Sequence, residues 1–248
     1  GKTPAVIERA KRECVAGKRV AVLTRGHGAQ RISTPLTLRP GEVPKDIVSR
    51  FGDEAALIAR RVPSVWIVRS PDRVTAAKIA LEEGCDTLIL DDGYQAVALE
   101  RDENILLIDV TNPFGNGYIL PRGILREPLS AMSRATRILL TRCDQASKKL
   151  AEIEAIIQEH APGVPVVKSI HKATHLWRLC DNQPVPLDML RNTQVRVVTG
   201  IGNPEAFITS LLSLGATIAE RHILPDHGPL PEKALHADMP VILTEKDA

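Results

Sequence analysis

The sequence predicts an α/β fold, with a phosphate-loop, doubly wound and mostly parallel sheet in a first lobe and a second, smaller α/β lobe. Short apolar runs alternate with helical patterns along the whole chain of 248 residues. The apolar runs are continuous rather than alternating in polarity, as expected when helices cover both faces of a parallel sheet. In such sheets ligands bind at the carboxyl ends of the strands.

The elements of the first lobe follow from these runs. The predicted strands are Arg19–Thr24, Val65–Arg69, Thr87–Leu90, Ile105–Val110, Arg137–Thr141 and Val164–Val167. The predicted helices are a stretch that begins near Pro4 and stops at Gly17, then Asp53–Arg61, Arg73–Glu83 and Gln145–His160.

The pattern weakens over His171–Arg191, where Pro184 and Pro186 interrupt it, and this predicts a linker. A second alternation follows, with strands Val195–Thr199, Thr217–Arg221 and Val241–Thr244 and the helix Pro204–Leu214. We therefore expect a first lobe over residues 1–170, a linker over 171–194 and a second lobe over 195–248, with a cleft between the lobes.

Composition narrows the class of protein. The hydrophobic fraction is 44% and the charged fraction 25%, as in ordinary globular domains. A net charge of +2 gives no reason to expect a nucleic-acid partner. The 4 cysteines form no C-x-x-C pair, which favours a reducing, cytoplasmic setting over a zinc site or disulfides. No apolar run approaches the roughly 20 residues of a membrane span.

The chain opens on Gly1-Lys2-Thr3-Pro4, which matches the end of a phosphate-binding loop and the start of the helix behind it. In a complete loop, backbone N–H groups and the helix dipole hold polyphosphate. Lys2 then reaches the β- and γ-phosphates, and the Thr3 hydroxyl binds Mg²⁺. A chance occurrence of these residues stays open. Because a strand and half of the loop are missing, we expect the sequence to start inside a longer protein.

Polar loops follow several predicted strands. Asp91-Asp92-Gly93 ends an apolar strand, as do the carboxylates that hold Mg²⁺ in phosphate-loop enzymes, although Asp-Gly is also a common turn. Gly52-Asp53-Glu54 opens a helix, where acidic residues are favoured by the dipole alone. Arg73 also begins a helix and could be a solvated charge. A long loop carries Gly115, Gly117 and then Arg122, Arg126 and Glu127, where functional residues concentrate.

Taken in order, these loops resemble the tetraacyldisaccharide 4'-kinase family, the lipid A 4'-kinases, over nearly the whole chain. The two most specific strings are Asp91-Asp92-Gly93-Tyr94-Gln95 and Thr244-Glu245-Lys246-Asp247-Ala248. The others are Gly1-Lys2-Thr3-Pro4, Arg25-Gly26-His27-Gly28, Gly52-Asp53-Glu54, Phe114-Gly115-Asn116-Gly117, Leu125-Arg126-Glu127-Pro128, Gly200-Ile201-Gly202-Asn203-Pro204 and Pro225-Asp226-His227.

The resemblance implies an activity and a location. Members of this family transfer the γ-phosphate of ATP, with Mg²⁺, to the 4'-hydroxyl of a lipid A disaccharide 1-phosphate precursor, giving lipid IVA. They contact the bacterial inner membrane peripherally at its cytoplasmic face. A phosphate-loop kinase core is joined in them by a short two-stranded linker to a second α/β lobe, whose C-terminal part we expect to be truncated here.

The resemblance also implies roles for residues. The nucleotide-binding residues it implies are Gly1, Lys2, Thr3 and Gln95. The metal-binding residues it implies are Thr3, Asp91, Asp92 and Glu127. The catalytic residues it implies are Lys2, Arg73, Asp53 and His227. Asp53 is expected to be the catalytic aspartate, and His227 the histidine of the second lobe that pairs with it to activate the acceptor hydroxyl.

The chain departs from the family pattern at four positions: Ala55, Tyr94, Ala96 and Leu230. Ala96 stands where the family has a histidine, so reduced activity is a hypothesis. Two alternatives stay open. One is a phosphate-loop GTPase or ATPase of the metal-delivery type, although Thr141-Arg142-Cys143-Asp144 lacks the Asn-Lys of a guanine-reading loop. The other is a non-catalytic nucleotide-binding partner.

Overall fold

The structure is a computed structural model that describes residues 1–225, 230–236 and 238–248. The described chain divides into two compact units. The first comprises residues 1–141 and 148–169, and the second comprises residues 142–147 and 170–248. The predicted boundaries of lobes and linker remain a prediction, and each unit is described by itself.

The first unit alternates strands and helices. In chain order its helices and strands are α1 (Lys2–Val15), β1 (Val20–Thr24), β2 (Leu36–Leu38), α2 (Ile47–Phe51), α3 (Asp53–Arg61), β3 (Trp66–Arg69), α4 (Arg73–Glu82), β4 (Thr87–Leu90), β5 (Ile105–Asp109), β6 (Arg137–Thr141), α5 (Leu150–His160) and β7 (Val166–Lys168). Short 3₁₀ helices cover Leu129–Arg134 and Ser147–Lys149.

Two sheets lie in this unit, and both are largely parallel. In the first, β3, β1 and β4 are parallel neighbours and β2 pairs antiparallel with β3 at one edge. In the second, β5, β6 and β7 are parallel. Every residue of β1 and β3 is buried, which explains why these strands are continuous apolar runs in the sequence. The α/β class and the mostly parallel pairing are confirmed.

Helices on the first sheet bury small and branched side chains against it. One cluster joins α1 and α3 to one face through residues such as Val6, Ala10 and Ile58. A second cluster places Ala76 and Ala80 of α4 against Leu23 and Val68. This packing holds the helix N-termini near the carboxyl ends of the strands, where the candidate site lies.

The second unit contains a hairpin and a three-stranded parallel sheet. Its helices and strands are β8 (Leu176–Arg178), β9 (Gln183–Val185), β10 (Gln194–Thr199), α6 (Pro204–Ser213), β11 (Thr217–Ile223), α7 (Glu232–Leu235) and β12 (Val241–Ile242). Strand β10 lies between β11 and β12 and is parallel to both. The antiparallel hairpin β8–β9 falls within the segment that the sequence predicts as a linker.

Asp247 shapes the loop after β10. Its carboxylate accepts hydrogen bonds from the Thr199 hydroxyl at 2.7 Å, the Gly200 N–H at 3.0 Å and the Thr244 hydroxyl at 2.7 Å. The Thr244–Ala248 string therefore forms a turn instead of extending a strand. For this reason the predicted strand Val241–Thr244 is wrong at its end, and β12 stops at Ile242.

Other boundaries also differ. The predicted helix Gln145–His160 begins only at Leu150, because the Gln145 side chain donates hydrogen bonds to the Ala206 carbonyl at 3.1 Å and the Ser210 hydroxyl at 3.2 Å. Strand β11 runs two residues beyond the predicted end, pairing with β10 as far as Ile223. Among the described residues, no helix combines the length and apolar character needed to cross a membrane.

Candidate active site

The carboxyl ends of β1, β3 and β4 lie side by side, because these strands are parallel neighbours. Thr24, Ser70 and Asp91 stand at or just beyond these ends, and all three are buried. The Thr24 hydroxyl accepts a hydrogen bond from the Gly26 N–H at 3.1 Å, and the Ser70 N–H donates to the Thr24 carbonyl. A layer of polar groups therefore closes the apolar sheet at the edge where α/β proteins bind ligands.

Lys2 meets the acidic pair at this edge. It is the first residue of α1, which Gly1 caps, and its Nζ lies 2.6 Å from Oδ1 of Asp92. Arg126 approaches the other oxygen of the same carboxylate, with Nη1 2.6 Å from Oδ2. Burial alone would raise the pKa of Asp92, but the hydrogen bonds from Lys2 and Arg126 lower it. Three predicted motifs are thus joined at one carboxylate.

Asp92 is both a turn residue and the acidic partner of two ion pairs. Its φ is 52°, in the left-handed region that aspartate tolerates better than most residues. A side chain on Gly93 would collide with Leu90, so the following glycine is required by close packing. The two interpretations of Asp91-Asp92-Gly93 are therefore compatible, because the turn is what aims the Asp92 carboxylate at Lys2.

Asp91 is the buried member of the pair. Its side chain is 4% exposed. Burial, together with the negative charges of Glu54 and Asp92, raises the pKa of Asp91 to about 6, and Lys2 and Arg73 only partly offset the shift. A carboxylate in this environment is stabilised by an added cation.

Arg73 begins α4 and points into the site. Asp72 caps this helix by accepting from the Thr75 N–H at 2.7 Å and the Val74 N–H at 3.3 Å. One Arg73 nitrogen, Nη2, donates to the Asp91 carbonyl at 2.6 Å. Its buried Nε and Nη1 have no hydrogen-bond partner in the part of the chain that the structure describes. Burial and the neighbouring Arg25 lower the pKa of Arg73. Two unsatisfied guanidinium donors beside a second arginine suit an anion with several oxygens, such as a phosphate group.

Gln95 and Glu127 contact each other. The Gln95 amide donates to Oε1 of Glu127 at 2.7 Å, and Arg134 holds both oxygens of Glu127, with Nη1 2.7 Å from Oε2. Hydrogen bonds from Arg134 and Gln95 lower the pKa of Glu127. The Tyr94 hydroxyl donates to the Ala131 carbonyl at 2.7 Å. These contacts fasten the loop after β4 to the segment that follows Arg126.

Asp53 is positioned by a close approach of two loops. It is the first residue of α3, and its Oδ1 accepts from the Glu54 N–H at 2.9 Å. Gly52 before it has φ 92°, and a Cβ there would lie 2.8 Å from the His27 carbonyl oxygen. Only glycine allows this contact, which explains why a glycine precedes Asp53.

Arg69, at the end of β3, holds the same loops in place through hydrogen bonds to their backbone. Its buried guanidinium donates to the Arg25 carbonyl at 3.1 Å and to the carbonyls of Arg50 and Gln30. A side chain on Gly26 would collide with it. Burial lowers the pKa of Arg69. One side chain at the end of β3 therefore sets the shape of the loop after β1 and of the turn that leads to Asp53.

The three predicted metal-binding carboxylates, Asp91, Asp92 and Glu127, are not brought together in one group. The half-buried Thr3 lies in the first turn of α1 beside Lys2, and Glu127 contacts Gln95 and Arg134. Within the part of the chain that the structure describes, no group of three or more His, Cys, Asp or Glu side chains is arranged to hold a metal ion. His227 lies outside the described residues.

The structure adds residues that the sequence analysis did not assign to the site. They are Glu54, which acts on Asp91, and Arg69, Arg126 and Arg134, which hold the loops. Glu54 and Arg126 stand inside the motifs that carry the resemblance, so their positions were a usable signal. Arg69 and Arg134 stand in none of those motifs, and the carbonyl partners of Arg69 are distant along the chain.

The chain as a whole is similar to known proteins of one family. The sequence model of the family described as tetraacyldisaccharide-1-P 4'-kinase matches residues 1–248. A tetraacyldisaccharide 4'-kinase of Anaeromyxobacter dehalogenans is 38% identical over 100% of this chain and 68% of its own length. One of Elusimicrobium minutum is 35% identical over 100% of this chain and 68% of its own length.

A solved structure matches as well. The Aquifex aeolicus LpxK structure in complex with ATP superposes with a TM-score of 0.68 at 30% identity, covering 100% of this chain and 74% of that one. These matches decide against the metal-delivery class of phosphate-loop protein. This chain belongs to the tetraacyldisaccharide-1-P 4'-kinase family.

Proposed function

We propose that this protein transfers the γ-phosphate of ATP to the 4'-hydroxyl of a tetraacyldisaccharide 1-phosphate, giving lipid IVA in lipid A biosynthesis. The observation that carries the proposal is the meeting of Lys2, at the start of α1, with Asp92, at the end of β4. A lysine at a helix N-terminus facing a strand-end carboxylate is the arrangement that phosphate-loop enzymes use for polyphosphate and its metal.

The nucleotide phosphates are proposed to bind at Gly1, Lys2 and Thr3, with Arg73 on their other side. Phosphoryl transfer spreads negative charge over the transferred group, so catalysis depends mainly on positioned positive charge. Arg73 supplies two buried donors, Nε and Nη1, that have no hydrogen-bond partner among the described residues. Lys2 exchanges Asp92 for phosphate oxygens when the nucleotide binds. Gln95 is proposed to contribute to the nucleotide site from the loop after β4.

Mg²⁺ is proposed to bind at Thr3, Asp91 and Asp92. The buried Asp91 carboxylate, with its pKa raised to about 6 by burial and by Glu54 and Asp92, fits a divalent cation because the cation would relieve that repulsion. When bound, the metal neutralises phosphate charge. Glu127 enters its coordination only by giving up Gln95 or Arg134, and until then it serves to hold the loop.

The acceptor hydroxyl is proposed to be activated by Asp53 paired with His227. A sugar hydroxyl is a weak nucleophile at neutral pH, and a positioned base contributes typically about 10²–10⁴-fold. Asp53 stands at the N-terminus of α3, next to Glu54, whose charge acts on Asp91. In this pair the carboxylate orients the imidazole and stabilises its protonated form. Ala96, in place of the family's histidine, is proposed to lower turnover without abolishing it.

The acceptor is a lipid, so we propose that the protein acts at the cytoplasmic face of the bacterial inner membrane through peripheral contact. The test of function uses labelled ATP, Mg²⁺ and the tetraacylated disaccharide 1-phosphate dispersed in detergent, with products separated by thin-layer chromatography. The expected product carries one additional phosphate at the 4'-position. Label released only as inorganic phosphate, whether or not acceptor is present, would contradict the proposal and favour a hydrolase.

A further inference from the structure

One short loop presents a cluster of large apolar side chains to solvent. We call residues 114–126 the Tyr118 loop. Tyr118, Ile119, Leu120 and Ile124 are all exposed, with Leu120 at 60% and Ile124 at 55%. Single exposed apolar residues are ordinary, but several within one surface loop mark an interaction site.

The exposure is not a consequence of a loose backbone. Asn116 accepts from the Tyr118 N–H at 3.2 Å and donates to the Arg122 carbonyl at 2.9 Å. The Leu120 N–H donates to the Leu125 carbonyl at 2.8 Å, and the Leu125 N–H donates to the Tyr118 carbonyl at 3.2 Å. The loop therefore satisfies much of its own backbone and turns the apolar side chains outward.

Two glycines make this compact shape possible. A Cβ on Gly123 would collide with the Tyr118 carbonyl and the Asn116 side chain. A Cβ on Gly115, whose φ is 56°, would lie 2.5 Å from Cγ1 of Ile124. The two glycines thus let the two arms of the loop pack directly against each other, and the exposed side chains are carried by this closely packed backbone.

The charge of the loop points to its partner. Residues 110–126 include Arg122 and Arg126 and no acidic residue. The Arg122 guanidinium carbon lies 3.6 Å from the centre of the Tyr118 ring. Apolar side chains that insert, a tyrosine at headgroup depth and an arginine beside it are the features of a surface that binds an anionic bilayer.

We propose that the Tyr118 loop is the membrane-contacting surface of this protein, with Leu120 and Ile124 entering the interface of an anionic lipid bilayer and Arg122 meeting headgroup phosphates. The inference rests on the proposed function, whose acceptor resides in a bilayer. It also links the membrane contact to the proposed phosphate site, because Arg126, two residues after Ile124, forms an ion pair with Asp92. The bilayer contact and the phosphate end of the site therefore belong to one continuous segment.

The test is co-sedimentation of the intact protein with vesicles of phosphatidylglycerol mixed with phosphatidylcholine, and with phosphatidylcholine alone. Leu120→Ser combined with Ile124→Ser should weaken binding to the mixed vesicles by about tenfold or more, since both apolar contacts are lost. Arg122→Gln should weaken it roughly fivefold, and only on the anionic vesicles. Leu81→Ser, at an equally exposed leucine on α4, is the matched control and should bind as the unmodified protein does.

Kinase activity on detergent-dispersed acceptor separates this proposal from the proposed function. The double variant should keep that activity, because detergent replaces the bilayer. Vesicle binding that is unchanged in the double variant, or absent in the unmodified protein, would overturn the proposal. So would lost activity in detergent with normal vesicle binding, which would assign the loop to the acyl chains of the acceptor. If the unmodified protein is a dimer in solution, and the double variant is a monomer that binds vesicles normally, the loop instead contacts a second copy of this chain and the proposal is overturned. No phosphoryl transfer by any form would instead refute the proposed function.

Discussion

Lys2 and Asp92, separated by 90 positions in the chain, form an ion pair of 2.6 Å at the mouth of the first sheet. The Lys2 side chain is 47% exposed and that of Asp92 39%, so the pair adds little to stability. The ion pair instead holds both charged groups in place at the site and leaves each of them accessible to another partner. The predictions below concern this pair and the residues around it.

Lys2→Ala should lower turnover by about 10²-fold or more, by analogy with the loss of one preorganised donor to a charged transition state. The measurement is steady-state phosphorylation of the dispersed acceptor. Lys11→Ala, at an exposed lysine of the same helix, is the control for loss of a positive charge. Near-normal turnover in Lys2→Ala would remove the basis for a phosphate loop in this chain.

Asp92→Asn should weaken the rise in melting temperature that MgATP produces. A divalent cation and nucleotide stabilise the folded state in proportion to their affinity for it, and this variant loses a carboxylate proposed to hold the metal. Asp102→Asn, in an exposed bend, is the control. If the MgATP shift of Asp92→Asn equals that of the unmodified protein, Asp92 serves only the turn.

Asp91 should make the folded state less stable as pH rises from about 4 to about 6. Burial and the charges of Glu54 and Asp92 raise the pKa of Asp91 to about 6, above its ordinary value of 3.8, so the folded state holds its proton while the unfolded state loses it. The contribution to the free energy of unfolding is full below about pH 4 and has fallen by about 2–3 kcal/mol above about pH 6.

Urea unfolding across that range checks this effect, with Asp91→Asn as the comparison. The difference in unfolding free energy between the unmodified protein and the variant should decline as pH rises. Asp92 and Glu127 have lowered pKa values and act in the opposite direction, but both forms retain them, so most of their effect cancels in the difference. A difference that does not change with pH would contradict the buried, repelled carboxylate.

Asp53→Ala and His227→Ala should each lower turnover strongly while leaving ATP affinity nearly unchanged. If the two act as one base, the double variant should lose little beyond the worse single variant. Steady-state kinetics and nucleotide titration of the three variants measure this. Losses that multiply fully would show that the residues act independently.

The sequence predicted those parts of the fold whose signals are local. Helix α3 begins and ends where predicted, because Gly52 and Val62 flank a strongly patterned run, and β4 and β6 are short apolar runs. The three-residue strand β2 was missed, since it is defined only by its pairing with β3. Gln145 was placed in a helix because its hydrogen bonds to α6 leave no trace in the neighbouring residues.

The candidate site was also predicted only in part. Motif order brought Lys2, Arg73, Asp91 and Asp92 into one hypothesis, and the structure places Lys2 on Asp92 and Arg73 on Asp91. It did not reveal that Gln95 and Glu127 bind each other, with Arg134 as a third partner. That arrangement depends on distances between loops 32 residues apart, which no local pattern encodes.

The contacts of the Arg69 guanidinium affect how the candidate site responds to salt and to pH. Arg69 is 3% exposed, and its guanidinium is held by backbone carbonyls, which carry no ionisable charge. Neither ionic strength nor ordinary changes of acidity can loosen such an interaction, whereas added salt screens the exposed pairs that Asp92 makes with Lys2 and Arg126. Salt therefore acts selectively: it weakens the pairs that we propose to open for a nucleotide, and it leaves intact the Arg69 contacts that shape the turn before Asp53.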